Sequence, residues 1–298
     1  MAAGSSSQAA LASGASPASA VGANLYAAGA IALWATLATL GVALRHVPPF
    51  LLTGLALVIG SVPAWPLVRQ WRVPAATLLL GVYGLFGFHF LLFIALRHAP
   101  PVEANLVNYL WPLLMVAMAP LFLAGMRLHW MHAVAALAGF AGAAIAILGN
   151  RGAEAGGWAW GYLPAVGSAF VWASYSLLTR RVTPFPTAAI GLFGLVSGVL
   201  SLLSHWLLEP PVALQARDWA LIAAMGLGPL GAAFFLWDKA LKRGDPRQIG
   251  ILSYITPLAS TMLLMVASGK ALSWSIALAA VLIVGGAFLG ARARAAGH

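Results

Sequence analysis

The chain has 298 residues, of which 62% are hydrophobic and 7% are charged, with a net charge of +10. A soluble domain carries roughly a quarter charged residues, so the composition excludes one and defines an all-α integral membrane protein. Cysteine is absent, which removes disulfides, thiolate catalysis and cysteine metal sites, and the basic residues fall singly or in pairs rather than as a nucleic-acid patch.

Residues 1 to 23 are rich in Ala, Ser and Gly without a basic start or an apolar run, and read as a disordered tail rather than a signal peptide. Ten apolar segments come next, each long enough to cross a hydrocarbon core of ~30 Å as a helix. They run over about 24 to 45, 49 to 69, 73 to 97, 102 to 124, 130 to 149, 158 to 179, 186 to 207, 217 to 240, 246 to 268 and 271 to 291. The first five form one unit, residues 24 to 150, and the last five a second, residues 158 to 292. With this count, eleven Lys and Arg, from Arg69 to Arg294, fall on one side, and five (Arg45, Arg97, Arg151, Arg217, Lys270) on the other. The positive-inside bias then places both termini in the cytoplasm.

Several spans carry groups that lipid does not tolerate unless they face protein or a wet cavity. Trp34 lies well inside the first span, as a cavity aromatic or an interfacial anchor. The third span carries Tyr83, Phe86 and His89. His89 is either a satisfied interhelical hydrogen bond or a ligand contact able to change charge near neutral pH. In the fourth, EANLVNYLWP places Asn108, Tyr109 and Trp111 before Pro112. Proline lacks an amide hydrogen, so the Asn108 carbonyl loses its helical partner and a kink is expected. In the sixth span Ser168, Trp172, Tyr175 and Thr179 share one helical face, which should look inward. In the seventh, Ser201 and His205 stand four residues apart, the spacing of a hydroxyl and imidazole in an intramembrane serine protease. Gly191, Gly194, Gly198 and Ser201 form a small-residue stripe there, so close packing is the better account. In the ninth, Pro257 frees the carbonyl of Ser253 as Pro112 frees that of Asn108.

The six acids supply no mid-membrane carboxylate. Asp245 reads as a helix N-cap with Gln248 at the capping-box position, and Asp218 as another cap. Glu103 aligns with Gln248 and suits a first helical turn or a substrate ammonium. Asp238 pairs with Lys242, while Glu154 and Glu209 fall in loops.

The chain repeats itself. LRHAPPVEANLVNYLWPLL from Leu96 aligns without a gap on LKRGDPRQIGILSYITPLA from Leu241, 145 residues on, so that Pro101 meets Pro246, Tyr109 meets Tyr254 and Pro112 meets Pro257. Trp34 and Pro48 meet Trp172 and Pro186 at a separation of 138. Five spans per copy is odd, so the second enters the membrane in the opposite sense, an inverted repeat that places a substrate site near the midplane. Pro112 and Pro257 are then expected to act as paired hinges.

With one L-x-x-x-x-P and Y-x-x-P helix-loop-helix per half, residues 24 to 292 resemble the EamA group of the drug/metabolite transporter superfamily. Tyr83, His89, the run from Asn108 to Pro112, Trp172 and Ser253 resemble its YddG-type branch of aromatic amino acid exporters. The resemblance implies a basket of helices around a central cavity and export across a bacterial inner membrane. The small multidrug relatives carry an essential first-helix glutamate, and the span around Trp34 has no acid. The residues independently suit an amphiphilic amino acid, aromatic or otherwise neutral (methionine, threonine). Trp34, Tyr83, Phe86, Tyr109, Trp111, Trp172 and Tyr175 offer π faces, while His89, Asn108 and Ser253 offer polar contacts. No cofactor or metal is expected, and the partners are the substrate and the bilayer. Proton-coupled export of another metabolite or a cationic drug is the alternative; uncoupled facilitated transport is the primary reading.

Overall fold

A computed structural model of the chain describes residues 17–148, 159–267, 269 and 274–296. All regular structure among these is helical. Nine spanning segments are apolar and 19 to 28 residues long: α1 Val21–Ala43, α2 Pro49–Trp71, α3 Ala75–His98, α4 Pro101–Phe122, α5 Trp130–Leu148, α7 Ala189–Leu208, α8 Ala216–Arg243, α9 Pro246–Ala267 and α10 Trp274–Arg292. Between α5 and α7 lies α6, Tyr162–Leu178, 17 residues long and buried along most of its length. Its C-terminal half is enclosed by neighbouring helices, while Leu163, Val166 and Phe170 form an exposed apolar stripe on its N-terminal half. Residues 1–16 of the expected tail, and Arg151, Glu154 and Lys270, lie outside the described residues; residues 17–23 open the first helix, which starts at Pro17.

The packing obeys the duplication. Exchanging each helix for its counterpart five places on turns the α1–α8 contact into α6–α3, and α1–α9 into α6–α4, and all four are present. The pairs α2–α7, α4–α9 and α5–α10 map onto themselves. Backbones meet closely at these seams: a Cβ on Gly198 of α7 would lie 2.9 Å from the Gly54 carbonyl of α2, and one on Gly286 of α10 would lie 2.8 Å from that of Ala135 in α5. One on Gly290, a turn further along α10, would lie 2.7 Å from the Ile251 side chain of α9, so both glycines face helices of the same chain.

Four helices depart from regularity at paired positions. π-helical turns interrupt α3 at Tyr83–Gly87 and α8 at Gly228–Ala232, 145 residues apart. The ladder of α4 breaks at Tyr109 and Leu110 and that of α9 at Ser253 and Tyr254, 144 residues apart and so within one residue of the repeat register. The kinks expected from Pro112 and Pro257 thus occur one turn before each proline.

Helix ends are tied differently on the two sides of the bundle. On the side of the chain termini, Asp238 accepts from Lys242 and Thr187, each at 2.6 Å. Arg180 donates to the Gly244 carbonyl at 3.1 Å, and Arg247 reaches Asp245 at 2.7 Å and the Arg127 carbonyl at 2.5 Å. Asp245 caps α9 through the Arg247 N–H, as expected. Burial raises its carboxyl, but the Arg247 hydrogen bonds and charge outweigh that and hold it below the ordinary carboxylate range. The cap of α8 differs from expectation: Gln215 is the N-cap, and Asp218 is its partner three residues on, accepting from the Gln215 N–H at 2.9 Å. On the opposite side Glu209, expected in a loop, is a buried tie. It accepts from the Phe50 and Leu51 N–H groups at the start of α2, from Arg97 at 2.6 Å and from His205 at 2.9 Å. A carboxylate at a helix N-terminus meets unsatisfied N–H groups and a favourable dipole. Here it comes from a residue 159 positions away.

Candidate functional site

A cavity of about 430 Å³ lies among the C-terminal halves of α1, α3 and α9, the N-terminal halves of α2 and α4, and the middles of α6 and α8. Because successive spans alternate in direction, these end portions share one side of the bundle, the side away from the termini. The volume is within the ~300–1,000 Å³ typical of small-molecule sites.

Trp34, His89, Asn108, Tyr109, Trp111 and Trp172 line it. Tyr83, Tyr175 and Ser253 do not. The Tyr83 hydroxyl lies 2.8 Å from Ser174 Oγ, which donates to the Phe170 carbonyl, so Tyr83 is the donor and ties α3 to α6. Tyr175 packs its ring where a Cβ on Gly84 would sit. Ser253 turns its hydroxyl back to the Gly250 carbonyl, and its own carbonyl, expected to be free, accepts from the Thr256 N–H at 3.0 Å. The turn tightens to a three-residue bond and recovers the donor that Pro257 lacks.

The aromatic floor contains more than the sequence suggests. Trp172 stands 5.9 Å from Trp34, 6.3 Å from Trp111 and 6.3 Å from Trp237, with Phe88 at 5.3 Å and Phe234 at 5.7 Å. The geometries are mostly edge-on or tilted, as ring quadrupoles prefer. Trp237, which no sequence pattern singles out, is buried beneath this floor and donates to Ser176 at 3.2 Å. The Trp34 indole N–H donates to the Pro229 carbonyl inside the π-turn of α8, at 3.1 Å.

Each polar group has a definable role. The His89 Nδ1 lies 2.6 Å from the Leu85 carbonyl, inside the π-turn of α3. A carbonyl only accepts, so Nδ1 carries the proton, and in the neutral ring Nε2 is left as an acceptor. The bond runs within α3 rather than between helices, and the ring also lines the cavity. Ser168 meets Asn108 Oδ1 at 2.8 Å, and among the described residues the Asn108 Nδ2 has no hydrogen-bond partner. The Tyr109 hydroxyl is likewise without one among those residues, and it lines the cavity. No Asp, Glu, Lys or Arg occurs among the lining residues.

Ser201 and His205 do not form a nucleophile pair among the described residues. The Ser201 hydroxyl is buried without a partner, and the His205 ring is taken by Glu209 at 2.9 Å.

Ten antiparallel spans in two inverted units, closing on a neutral aromatic cavity reached from one side, define a multi-pass membrane transporter. The EamA-like transporter family model matches the chain twice, over residues 21–148 and 159–291. The chain belongs to that family. It is 44% identical to the aromatic amino acid exporter YddG of Ancylobacter novellus, over 87% of this chain and 93% of that protein. It is 26% identical to the aromatic amino acid exporter YddG of Escherichia coli strain K12, over 80% and 83% of the two chains. A crystal structure 43% identical in sequence superposes with a TM-score of 0.85, covering 91% of this chain and 96% of the other.

Proposed function

We propose that this transporter exports aromatic and other neutral amphiphilic amino acids across a bacterial inner membrane, by alternating access and without ion coupling. The carrying observation is the cavity: three indoles and no fixed charge around a small set of neutral polar groups. In this reading His89 Nε2 accepts from the substrate ammonium, while Asn108 Nδ2 and the Tyr109 hydroxyl donate to the carboxylate. The side chain lies against Trp34, Trp111 and Trp172. The YddG relatives, exporters of aromatic amino acids by name, support this substrate class.

Both termini lie in the cytoplasm in this proposal, on the strength of the basic-residue bias. The cavity then faces outward, and the ties among Asp238, Lys242, Arg180 and Arg247 close the cytoplasmic side. Pro112 and Pro257 serve as hinges at which α4 and α9 swing over the cavity in turn.

Counterflow in liposomes tests the substrate class. Vesicles loaded with tryptophan, phenylalanine or methionine are expected to accelerate uptake of labelled tryptophan, and vesicles loaded with lysine or glutamate are not. Equal acceleration by all five would sink the proposal.

A further inference from the structure

A second concavity, about 530 Å³, opens between α2, α7 and α8 near the terminus side of the bundle. Leu67, Ala188, Ala232, Phe235 and Leu236 give it apolar walls, and Lys239 and Gln70 stand among them. The inward-turned half of α8 serves the substrate cavity through Leu230 and Phe234, so the same π-turn divides the two spaces.

Lys239 is the cation that lines this groove. Of the cations near it, Lys242 is neutralised by Asp238 at 2.6 Å and Arg247 by Asp245 at 2.7 Å, while Arg243 lies against the Tyr26 ring and donates to its hydroxyl at 3.2 Å. Among the described residues Lys239 has no ion-pair or hydrogen-bond partner, and its ammonium lies 5.5 Å from the centre of the Tyr26 ring. A lysine at a helix end can simply extend into water. This one borders an apolar groove instead, in the layer where anionic headgroups lie and where Arg69 and Arg72 end α2. Basic pockets between spanning helices on the cytoplasmic side suit phospholipid headgroups.

We propose that this groove holds one anionic phospholipid of the cytoplasmic leaflet, its phosphate on Lys239 and Gln70 and an acyl chain along Leu67, Phe235 and Leu236. The assignment of leaflet rests on the orientation proposed above. A lipid seated there braces the outer face of the π-turn whose Pro229 carbonyl holds Trp34, so occupancy is coupled to the shape of the substrate cavity.

Native mass spectrometry of the full chain, titrated with phosphatidylglycerol and separately with phosphatidylcholine, tests this. One phosphatidylglycerol should remain bound at collision energies that strip phosphatidylcholine. Lys239→Gln should weaken that retention about fivefold, the worth of one basic residue near an anionic headgroup. Ala232→Leu, at an exposed position on the groove wall, should abolish it by filling the space. Retention unchanged in both variants overturns the proposal. So does displacement of the bound lipid by millimolar glycerol 1-phosphate, which would mean a headgroup site without an acyl-chain groove. This readout is independent of amino acid transport. Labelling of Lys239→Cys by a membrane-impermeant thiol reagent from the periplasmic side would overturn the leaflet assignment alone.

Discussion

Trp111 and Trp172 each serve two purposes, and their variants must be chosen accordingly. Both are nearly buried, with 5% and 3% of their surface exposed, and truncating such a ring to alanine removes about 3–5 kcal/mol of packing. That loss is comparable to the whole stability of many domains and would mask any effect on transport. Phenylalanine keeps a π face while shrinking it. Stacking contributes about 0.5–1.5 kcal/mol beyond area. Trp172→Phe and Trp111→Phe are therefore expected to weaken tryptophan binding by roughly two- to twelvefold, with unchanged yield of folded protein. Equal affinities by calorimetry would remove these rings from the site. At Glu209 the expected effect is on stability. Glu209→Gln keeps the shape but loses the charge that gathers two N–H groups, Arg97 and His205. Charge-assisted bonds are worth about 1.5–3 kcal/mol. Arg97 is one-third exposed, which screens its share, so a loss near the lower end is expected in thermal unfolding, with the cavity intact.

The spanning segments were legible because lipid demands long apolar runs, and the duplication because two proline-bearing helices align at a fixed offset. The π-turns were not. They need no particular residue type, and in register the Tyr83–Gly87 and Gly228–Ala232 sequences match only at Leu85 and Leu230. Each inserts a residue into the helical turn and rotates the remainder of its helix. Tyr83 turns to α6 and His89 to the cavity, though both belong to one span. Glu209 was missed for a different reason: its partners lie 112 and 159 positions away, and only packing brings them together.

The two kinked helices also differ in a way that the repeat conceals. At α9 the Ser253 carbonyl already accepts from Thr256, so a new amide in Pro257→Ala finds its acceptor occupied. At α4 the equivalent amide in Pro112→Ala has the Asn108 carbonyl before it. Pro112→Ala is expected to slow turnover more than Pro257→Ala, and the two are expected to bias accessibility in opposite senses. Single cysteines placed at each end of the cavity report that bias, since the chain has none of its own. Wild-type turnover and labelling in both variants would leave the prolines as fixed bends.

For the molecule as a whole, the energy source is the open quantity. His89 is the only imidazole lining the cavity, and no carboxylate accompanies it among the described residues. A proton gradient imposed on liposomes is accordingly expected to leave tryptophan at its equilibrium distribution. Accumulation above equilibrium that disappears in His89→Gln would make this ring the coupling group and would favour the proton-driven alternative. The backbone is duplicated while the cavity chemistry is not: His89 faces its counterpart Phe234 at 6.3 Å, and Trp111 has Thr256 as its counterpart. On the proposed alternating-access mechanism, the inward- and outward-facing states are related in shape yet unequal in free energy, with their ratio set by side chains rather than by fold.

The four indoles of Trp34, Trp111, Trp172 and Trp237 carry a consequence of another kind. Rings held 5.1 to 6.3 Å apart at fixed, mostly steep angles couple their electronic transitions, so together they absorb circularly polarised light as one chiral chromophore. A swing of α4 or the arrival of a fifth indole on a substrate alters that coupling without any added dye. On the proposed mechanism, a change in the ultraviolet ellipticity of the unlabelled protein accompanies a change in which way the transporter faces, over the constant background of the other tryptophans.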